Sequence, residues 1–184
     1  MFGRSVHARA GERRSLPGDD LLTDPIGSLT HAVTIRRPRH DVWRWLVQMG
    51  AGRAGWYSYD FVDNGGHPSA ERILPEFQSV AVGTVLPAVP GATDGFFVIR
   101  YEPERTLVLG WLPVRNGAPL VTWTFVLEEQ EPDCTRLIVR ARAGDQYRLF
   151  GFPKWLVKLI VPWGHFVMQR RQLLGIVRRA EAHG

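Results

Sequence analysis

The amino-acid sequence predicts an α+β fold in which a curved antiparallel sheet of about six or seven strands wraps around one long C-terminal helix. Apolar residues alternate with other residues along the middle of the chain, most clearly over residues 121–127 and 136–142. A helical pattern of apolar residues then extends from about His165 to Ala182. Because a curved sheet cannot cover its own concave face, we expect the terminal helix to lie across it.

The N-terminal segment is rich in turn residues, among them Pro17-Gly18 and Asp24-Pro25. We therefore expect residues 1–28 to form an extended or mobile leader. A chain of 184 residues has the length of one domain, and we place this single domain at residues 29–184. The alternating segment THAVTI, residues 30–35, predicts its first strand.

Two short helices are predicted after the first strand. The first begins after Pro38 and ends at Gly50, and its apolar residues recur at spacings of three and four: Val42, Trp45, Leu46 and Met49. The second lies within the aromatic segment of residues 56–62, and one further helical turn is expected within residues 69–77.

The remaining strands are predicted at residues 80–89, 95–101, 106–112, 121–127 and 136–142. Arginines recur on one face of the last strand, so we expect that face of the sheet to be solvated, as antiparallel sheets allow. In the C-terminal third, Pro162-Trp163-Gly164 is expected to interrupt the helical pattern, because proline removes a backbone hydrogen bond from a helix.

Composition excludes several functional classes. The net charge of +5 comes from arginines scattered along the chain, with no basic stripe interleaved with aromatic residues, so we predict no nucleic-acid binding. The single cysteine, Cys134, excludes an internal disulfide and a cysteine-based zinc site. No histidine has a second ligand at metal-binding spacing, and no cofactor motif is present, so we predict neither a metal nor a cofactor.

The sequence also predicts no stable membrane insertion, because no apolar run approaches the ~20 residues of a spanning helix. Residues 1–27 are charged and lack the apolar region of a secretory signal. We therefore expect a cytoplasmic protein. The oligomeric state is left open.

Four stretches of the chain support a family resemblance: LPGDDLLTDP (residues 16–25), THAVTIRRPRHDVWRWLVQMGAGRAGWYSYD (30–60), ERILPEFQSVAVGTVLP (71–87) and GHFVMQRRQLLGIVRRAE (164–181). Together they resemble bacterial members of the START-like superfamily, also called SRPBCC or helix-grip, which includes polyketide cyclase/dehydrase-like proteins. The resemblance implies the helix-grip fold. It implies no single reaction, because this fold is used by carriers, cyclases, dehydratases, hydrolases and receptors.

We predict that the space between the sheet and the terminal helix binds a small hydrophobic molecule, aromatic or lipid-like. Tyr57, Tyr59 and Asp60 follow a glycine-bearing turn and would orient a polar group of such a ligand. The full set of predicted ligand-binding residues is Trp56, Tyr57, Tyr59, Asp60, Glu71, Arg72, Phe97, Trp111, Trp123, Met168, Gln169 and Leu173.

Two other functions remain open. In a polyketide cyclase or dehydratase, proton transfer would fall to Tyr57, Tyr59, Asp60 or His165. Each of these residues also has a structural explanation, since Asp60 could cap a turn or pair with Arg53, and His165 could meet backbone or solvent.

The other alternative is an interaction or membrane-surface module. It would use residues 151–163, which combine two lysines with the tryptophans Trp155 and Trp163. The same segment could instead gate the cavity or pack on the sheet.

Overall fold

One curved, open antiparallel sheet packs against one long helix in the computed structural model, which describes residues 5–92, 95–111, 119–144 and 154–182, with side chains in the last range from residue 163 onward. Every pair of neighbouring strands is antiparallel, in the order β1-β6-β5-β4-β3-β2. The predicted α+β helix-grip fold is confirmed. Its elements are β1 (Gly27–Ile35), α1 (Arg39–Val47), α2 (Asp60–Asp63), β2 (Val85–Pro87), β3 (Gly95–Glu102), β4 (Thr106–Trp111), β5 (Val121–Glu131), β6 (Cys134–Ala143) and α3 (Lys154–Ala182).

The main core lies between the sheet and the helices α1 and α3. Alternate residues of β5 and β6 face it, including Phe125 and Val139, as the period-two pattern predicts. The apolar stripe of α1 is buried as predicted. The C-terminal half of α3 contributes Leu173, Ile176, Val177 and Ala180. Burying each large apolar side chain stabilises the fold by roughly 1.5–3 kcal/mol, so this half of α3 is held firmly in the main core.

The helix α3 is longer than predicted, because it runs without interruption from Lys154 through Pro162 to Ala182. The expected break was wrong. A proline inside a helix removes its own N–H···O=C bond and crowds the carbonyl of residue i−4, but the turns on either side keep theirs.

Two other elements are shorter than predicted. The strand expected over residues 80–89 is reduced to β2, because a hydrogen-bonded turn forms between Ala81 and Thr84. The helical turn expected over residues 69–77 is a 3₁₀ turn at Pro75–Phe77 only.

From Ala8 onward, the N-terminal segment lies against the face of the sheet opposite to α3, whereas Val6 joins the main core and His7 stacks on Phe166 of α3. Leu16 packs there with Ala32, Val126 and Ile138. The chain makes two 3₁₀ turns, at Ala10–Arg13 and Asp19–Leu21. Gly18 has a φ of +88° and approaches Val108 so closely that a Cβ at this position would lie 2.7 Å from a valine methyl. We call residues 8–26 the N-terminal cover.

This cover means that the expectation of a solvated sheet face was wrong. Arg136 is only 6% exposed, and its Nε and Nη2 donate to the two carboxylate oxygens of Glu12 at 2.7 and 3.0 Å. Arg140 Nη1 donates to Asp19 Oδ2 at 2.5 Å and to the carbonyl of Arg14 at 2.8 Å. The arginines on this face therefore bind the cover and do not face solvent.

The hypothesis of a gate or membrane surface at residues 151–163 falls mostly outside the described residues, which exclude 151–153 and the side chains of 154–162. Trp163 is described and is 68% exposed. Within the described part of the chain, no helix is both long and apolar enough to cross a membrane.

The buried ion pair of Glu12 and Arg136 allows a test of whether buried charges hold the N-terminal cover to the sheet. Burial alone would raise the pKa of Glu12, but hydrogen bonds from Arg136 and from the backbone of Arg9 lower it overall. Replacing Glu12 by Gln leaves the Arg136 guanidinium buried without its countercharge. We expect the free energy of unfolding to fall by about 3–5 kcal/mol, measured by urea denaturation.

The control is Glu128→Gln, which breaks the pair that Glu128 forms with the exposed Arg14. We expect it to change stability by less than about 1 kcal/mol. Equal effects of the two substitutions would contradict the view that the N-terminal cover is held by buried charges.

Candidate ligand cavity

A cavity of about 520 Å³ opens between the sheet and the first described side chains of α3. It begins where the apolar packing of the C-terminal half of α3 ends. Its wall combines aromatic rings from the sheet with polar side chains from α2 and α3. The lining residues are Trp56, Ser58, Asp63, Ala88, Phe96, Trp111, Val121, Trp123, Ala141, His165, Met168, Gln169 and Gln172.

Four aromatic rings form one continuous part of this wall. Trp56 stacks on Trp123 with ring centroids 5.4 Å apart. Phe96 lies 5.1 Å from Trp123 and 5.0 Å from Trp111, which it meets edge to face. Such separations are those of favourable aromatic pairs. We call these four residues the aromatic wall.

Hydrogen bonds fix two rings of the aromatic wall. The indole N–H of Trp56 is shared between the carbonyls of Pro87 and Ala88, at 3.2 Å each. The indole N–H of Trp123 donates to Gln169 Oε1 at 3.0 Å and so links β5 to α3 across the interior. Since both N–H groups are satisfied within the protein, the two indoles offer a ligand their apolar surfaces.

The polar groups on α3 are only partly satisfied. Gln169 Nε2 donates to Gln172 Oε1 at 2.8 Å. Gln172 Nε2 has the sulfur of Met49 at 3.7 Å, and a thioether is a weak acceptor. The amide of Gln172 therefore keeps donor capacity for a ligand.

Asp63 is the only acidic residue of the described wall. It ends α2, is 8% exposed, and neither of its carboxylate oxygens has a hydrogen-bond partner among the described residues. Burial raises the pKa of Asp63 to about 6, with a smaller contribution from the nearby charge of Asp60, while its own backbone N–H and the side chain of Ser58 act in the opposite direction. A buried carboxylate without a partner is costly, so this group is a strong functional candidate.

His165 contributes the second titratable group. Burial lowers the pKa of His165 to about 4, with a smaller contribution from the neighbouring His31, whose ring centroid lies 6.0 Å away. The imidazole is therefore neutral at pH 7. Its Nδ1 has no hydrogen-bond partner among the described residues.

Six residues singled out in the sequence lie in this wall: the predicted ligand-binding residues Trp56, Trp111, Trp123, Met168 and Gln169, and the catalytic candidate His165. They come from the aromatic segment, from β4 and β5, and from α3. The fold brings them together because β4 and β5 are neighbours and α3 crosses the same face.

Tyr57 lies outside the cavity wall and has a structural role. Its hydroxyl donates to the carbonyl of Trp45 at 3.1 Å and accepts from Gln48 Nε2 at 2.9 Å. Its backbone is in the left-handed region with a φ of +60°, and its N–H donates to Ser69 Oγ. Burial raises the pKa of Tyr57 far above its usual range, so this phenol is not placed for proton transfer.

Tyr59 and Asp60 also lie outside the wall. Tyr59 is 42% exposed, with the guanidinium of Arg171 5.8 Å from its ring centroid. Asp60 accepts a hydrogen bond from the hydroxyl of Ser69. The two residues precede the helical turn that carries Asp63 inward.

Glu71 and Arg72 are exposed at the surface. Glu71 pairs with Arg178 and Arg179 of α3. The carbonyl of Arg72 accepts from Gln48 Nε2 at 3.2 Å. Both residues therefore hold the 69–78 segment against the helices and do not reach the ligand space.

Phe97 and Leu173 are the last two predicted ligand-binding residues that lie outside the cavity wall. Phe96, one residue away on β3, lines the cavity, and Phe97 belongs to the alternate parity of the strand. Leu173 is fully buried in the main core, one turn beyond Gln169.

Sequence reasoning missed seven lining residues. Two of them had usable signals, since Gln172 is one turn from Gln169 on α3 and Asp63 is one turn from Asp60 on α2. The other five follow from strand parity or from loop positions with no local signature: Ser58, Ala88, Phe96, Val121 and Ala141.

No protein-family model matches the chain, and neither does any curated protein. Solved structures are similar to it. MLL2253 from Mesorhizobium loti has a TM-score of 0.51 and 17% identity over 86% of this chain and 99% of its own. A protein from Rhizobium leguminosarum has a TM-score of 0.50 and 14% identity over 85% and 95% of the two chains. The chain thus shares its fold with these two proteins, and this is the helix-grip fold that its sequence resemblance implies.

The unpaired carboxyl of Asp63 gives a prediction for stability against pH. Its pKa is raised, so the folded state holds the proton more tightly than the unfolded chain, and stability falls as pH rises from about 4 through about 6. Replacing Asp63 by Asn should therefore stabilise the protein by about 1–3 kcal/mol at pH 8. The gain should vanish towards pH 4, as measured by thermal unfolding across this range.

His165 should give the opposite dependence of stability on pH. Its pKa is lowered, so stability is present above about pH 6.5 and is lost as pH falls towards 4. Relative to wild type, His165→Gln should gain stability on acidification, whereas Asp63→Asn should lose its advantage. A stability difference that does not change with pH in either variant would contradict the burial of that group.

Proposed function

We propose that the protein binds a small, largely apolar molecule in the cavity between the sheet and α3. The observation that supports this is an open volume of about 520 Å³ behind a wall of large aromatic side chains. Protein interiors are close-packed, with few voids larger than a water molecule. The volume lies within the range of about 300–1,000 Å³ that is typical of small-molecule sites.

The aromatic wall favours a ligand with at least one flat ring. Its four rings lie with neighbouring centroids 5.0–5.8 Å apart, and a further ring can join such an array by stacking or edge contact. Polar anchors are few: the donor of Gln172, the carboxyl of Asp63 and Nδ1 of His165. A few polar groups in an apolar pocket are sufficient to fix the orientation of a ligand.

Filling the cavity tests this proposal. Ala141 of β6 lines it opposite Trp123. Ala141→Phe should therefore occupy the ligand space and lower the affinity for a neutral apolar dye, N-phenyl-1-naphthylamine, by at least about tenfold, or about 1.4 kcal/mol. The measurement is a fluorescence titration.

The control adds the same volume outside the cavity. Ala81 is exposed in the turn before β2, so Ala81→Phe should leave dye binding unchanged. Equal dye affinity in the Ala141→Phe variant and in wild type would contradict the proposal, as would a dye that does not bind wild type at all.

An enzyme is the second candidate function. It is favoured by one observation, that the cavity wall holds a carboxyl with a raised pKa and a neutral imidazole, both without a hydrogen-bond partner among the described residues. A carboxyl whose pKa is raised towards the working pH and a neutral imidazole are groups that general acid–base catalysis can use.

Native mass spectrometry of protein purified from its own host separates the two candidates. A carrier should retain a ligand of the same mass in wild type and in the His165→Gln variant. An enzyme should accumulate an unreacted substrate of different mass in the variant only. Identical co-purified masses would therefore argue against catalysis by His165.

A further inference from the structure

We propose that the ligand of this cavity carries a positively charged amine or ammonium group, which lies against Asp63 while the apolar part of the molecule packs on the aromatic wall. The inference rests on the proposed function and names the chemical class of the ligand. Its basis is one buried carboxyl that the described residues leave without a hydrogen-bond partner, in a cavity whose other described groups attract cations or are neutral.

The position of Asp63 is the first step. The residue is 8% exposed, it lines the cavity, and neither of its carboxylate oxygens has a partner of hydrogen-bond geometry among the described residues. The side chain of Ser58 is near enough to lower the pKa of Asp63, but its hydroxyl donates to the carbonyl of Met168 at 3.2 Å. Buried polar groups in folded proteins almost always have one. A group that breaks this rule inside a ligand cavity is most simply completed by the ligand.

The arginines described near this region are already engaged. Arg53 Nε and Nη2 donate to the carbonyls of Met49 and Val47 at the end of α1, and its guanidinium lies 4.4 Å from the ring centroid of Phe77. Arg171 lies over the ring of Tyr59. Arg179 donates to the carbonyl of Ala70 and pairs with Glu71. None of these contacts reaches Asp63.

The charged groups of the described wall indicate the sign of the ligand's charge. Asp63 is its only carboxylate, and it contains no lysine or arginine. His165 remains neutral at pH 7, because burial and His31 hold its pKa near 4. The charge of Asp60 lies close enough to raise the pKa of Asp63. Although the whole chain has a net charge of +5, the cavity therefore favours a cation and disfavours an anion.

The aromatic wall acts in the same direction. A cation within about 6 Å of an aromatic ring face is attracted by the ring quadrupole, most strongly for tryptophan. Three of the four rings of the wall are indoles: Trp56, Trp111 and Trp123. Aromatic rings combined with one carboxylate are a suitable environment for an organic cation, whereas a purely apolar ligand would leave Asp63 unpaired.

Three probes that share one ring system test the inference by isothermal titration calorimetry at pH 7.5: 2-naphthylmethylamine, 2-naphthalenemethanol and 2-naphthoate. They differ in being cationic, neutral and anionic. We expect the amine to bind wild type at least about tenfold more tightly than the alcohol, which is about 1.4 kcal/mol, and the carboxylate to bind most weakly.

Two isosteric variants test whether the preference for the amine depends on Asp63. Asp63→Asn should remove the preference for the amine and leave binding of the alcohol. Asp60→Asn removes the same charge from the same short helix, but outside the cavity wall, and should retain the preference. If the preference survives in Asp63→Asn, the assignment to this carboxyl is overturned.

The outcomes also separate this inference from the proposed function. If the alcohol or the carboxylate binds wild type as tightly as the amine, the ligand class is overturned while the cavity remains a binding site. The same holds if N-phenyl-1-naphthylamine binds but the amine does not. If neither the dye nor any of the three probes binds, the proposed function fails as well.

Discussion

The separation between the sheet and α3 is the constraint on which the cavity depends. Beyond Gln169 the helix lies directly on the sheet, through Leu173, Ile176 and Val177. Before Gln169 the two layers are spaced by rings, and the bond from Trp123 Nε1 to Gln169 Oε1 marks the boundary. The C-terminal half of α3 therefore supplies apolar packing, while His165, Met168 and Gln169, which precede it, line the cavity. A helix packed along its whole length would leave no site.

Asp63 shows how this site departs from the rules that govern the rest of the molecule. Elsewhere, buried charges are paired, as Glu12 is with Arg136 on the opposite face. Asp63 is buried to a similar degree and has no partner among the described residues. Stability alone would favour an asparagine or an apolar residue at this position, because a lone buried carboxylate disfavours folding above its pKa. Function is the usual reason for such a local loss of stability.

The sequence predicts the order of the elements better than it predicts which side chains reach the ligand space. In β5 and β6 the apolar residues keep one parity, so the inward face is visible in the sequence. In β3 the run of Phe96 and Phe97 is apolar on both faces, and pairing of Phe96 with Trp111 in the neighbouring strand decides which ring turns inward. Likewise, Asp60 and Asp63 look equivalent in the sequence, and only the fold shows that the hydroxyl of Ser69 donates a hydrogen bond to Asp60.

The N-terminal cover supplies a reason why the fold can tolerate an open interior. An unfilled volume of about 520 Å³ removes dispersion contacts that a packed core would make. On the opposite face of the same sheet, the cover buries a second apolar cluster around Leu16 and Ile138, together with the paired charges of Glu12 and Asp19. The charged pairs join residues more than 100 positions apart, such as Glu12 and Arg136. No local sequence pattern therefore predicts them. They stabilise the sheet from the side opposite to the cavity, and the strands that carry the aromatic wall are thereby held in place without filling the cavity.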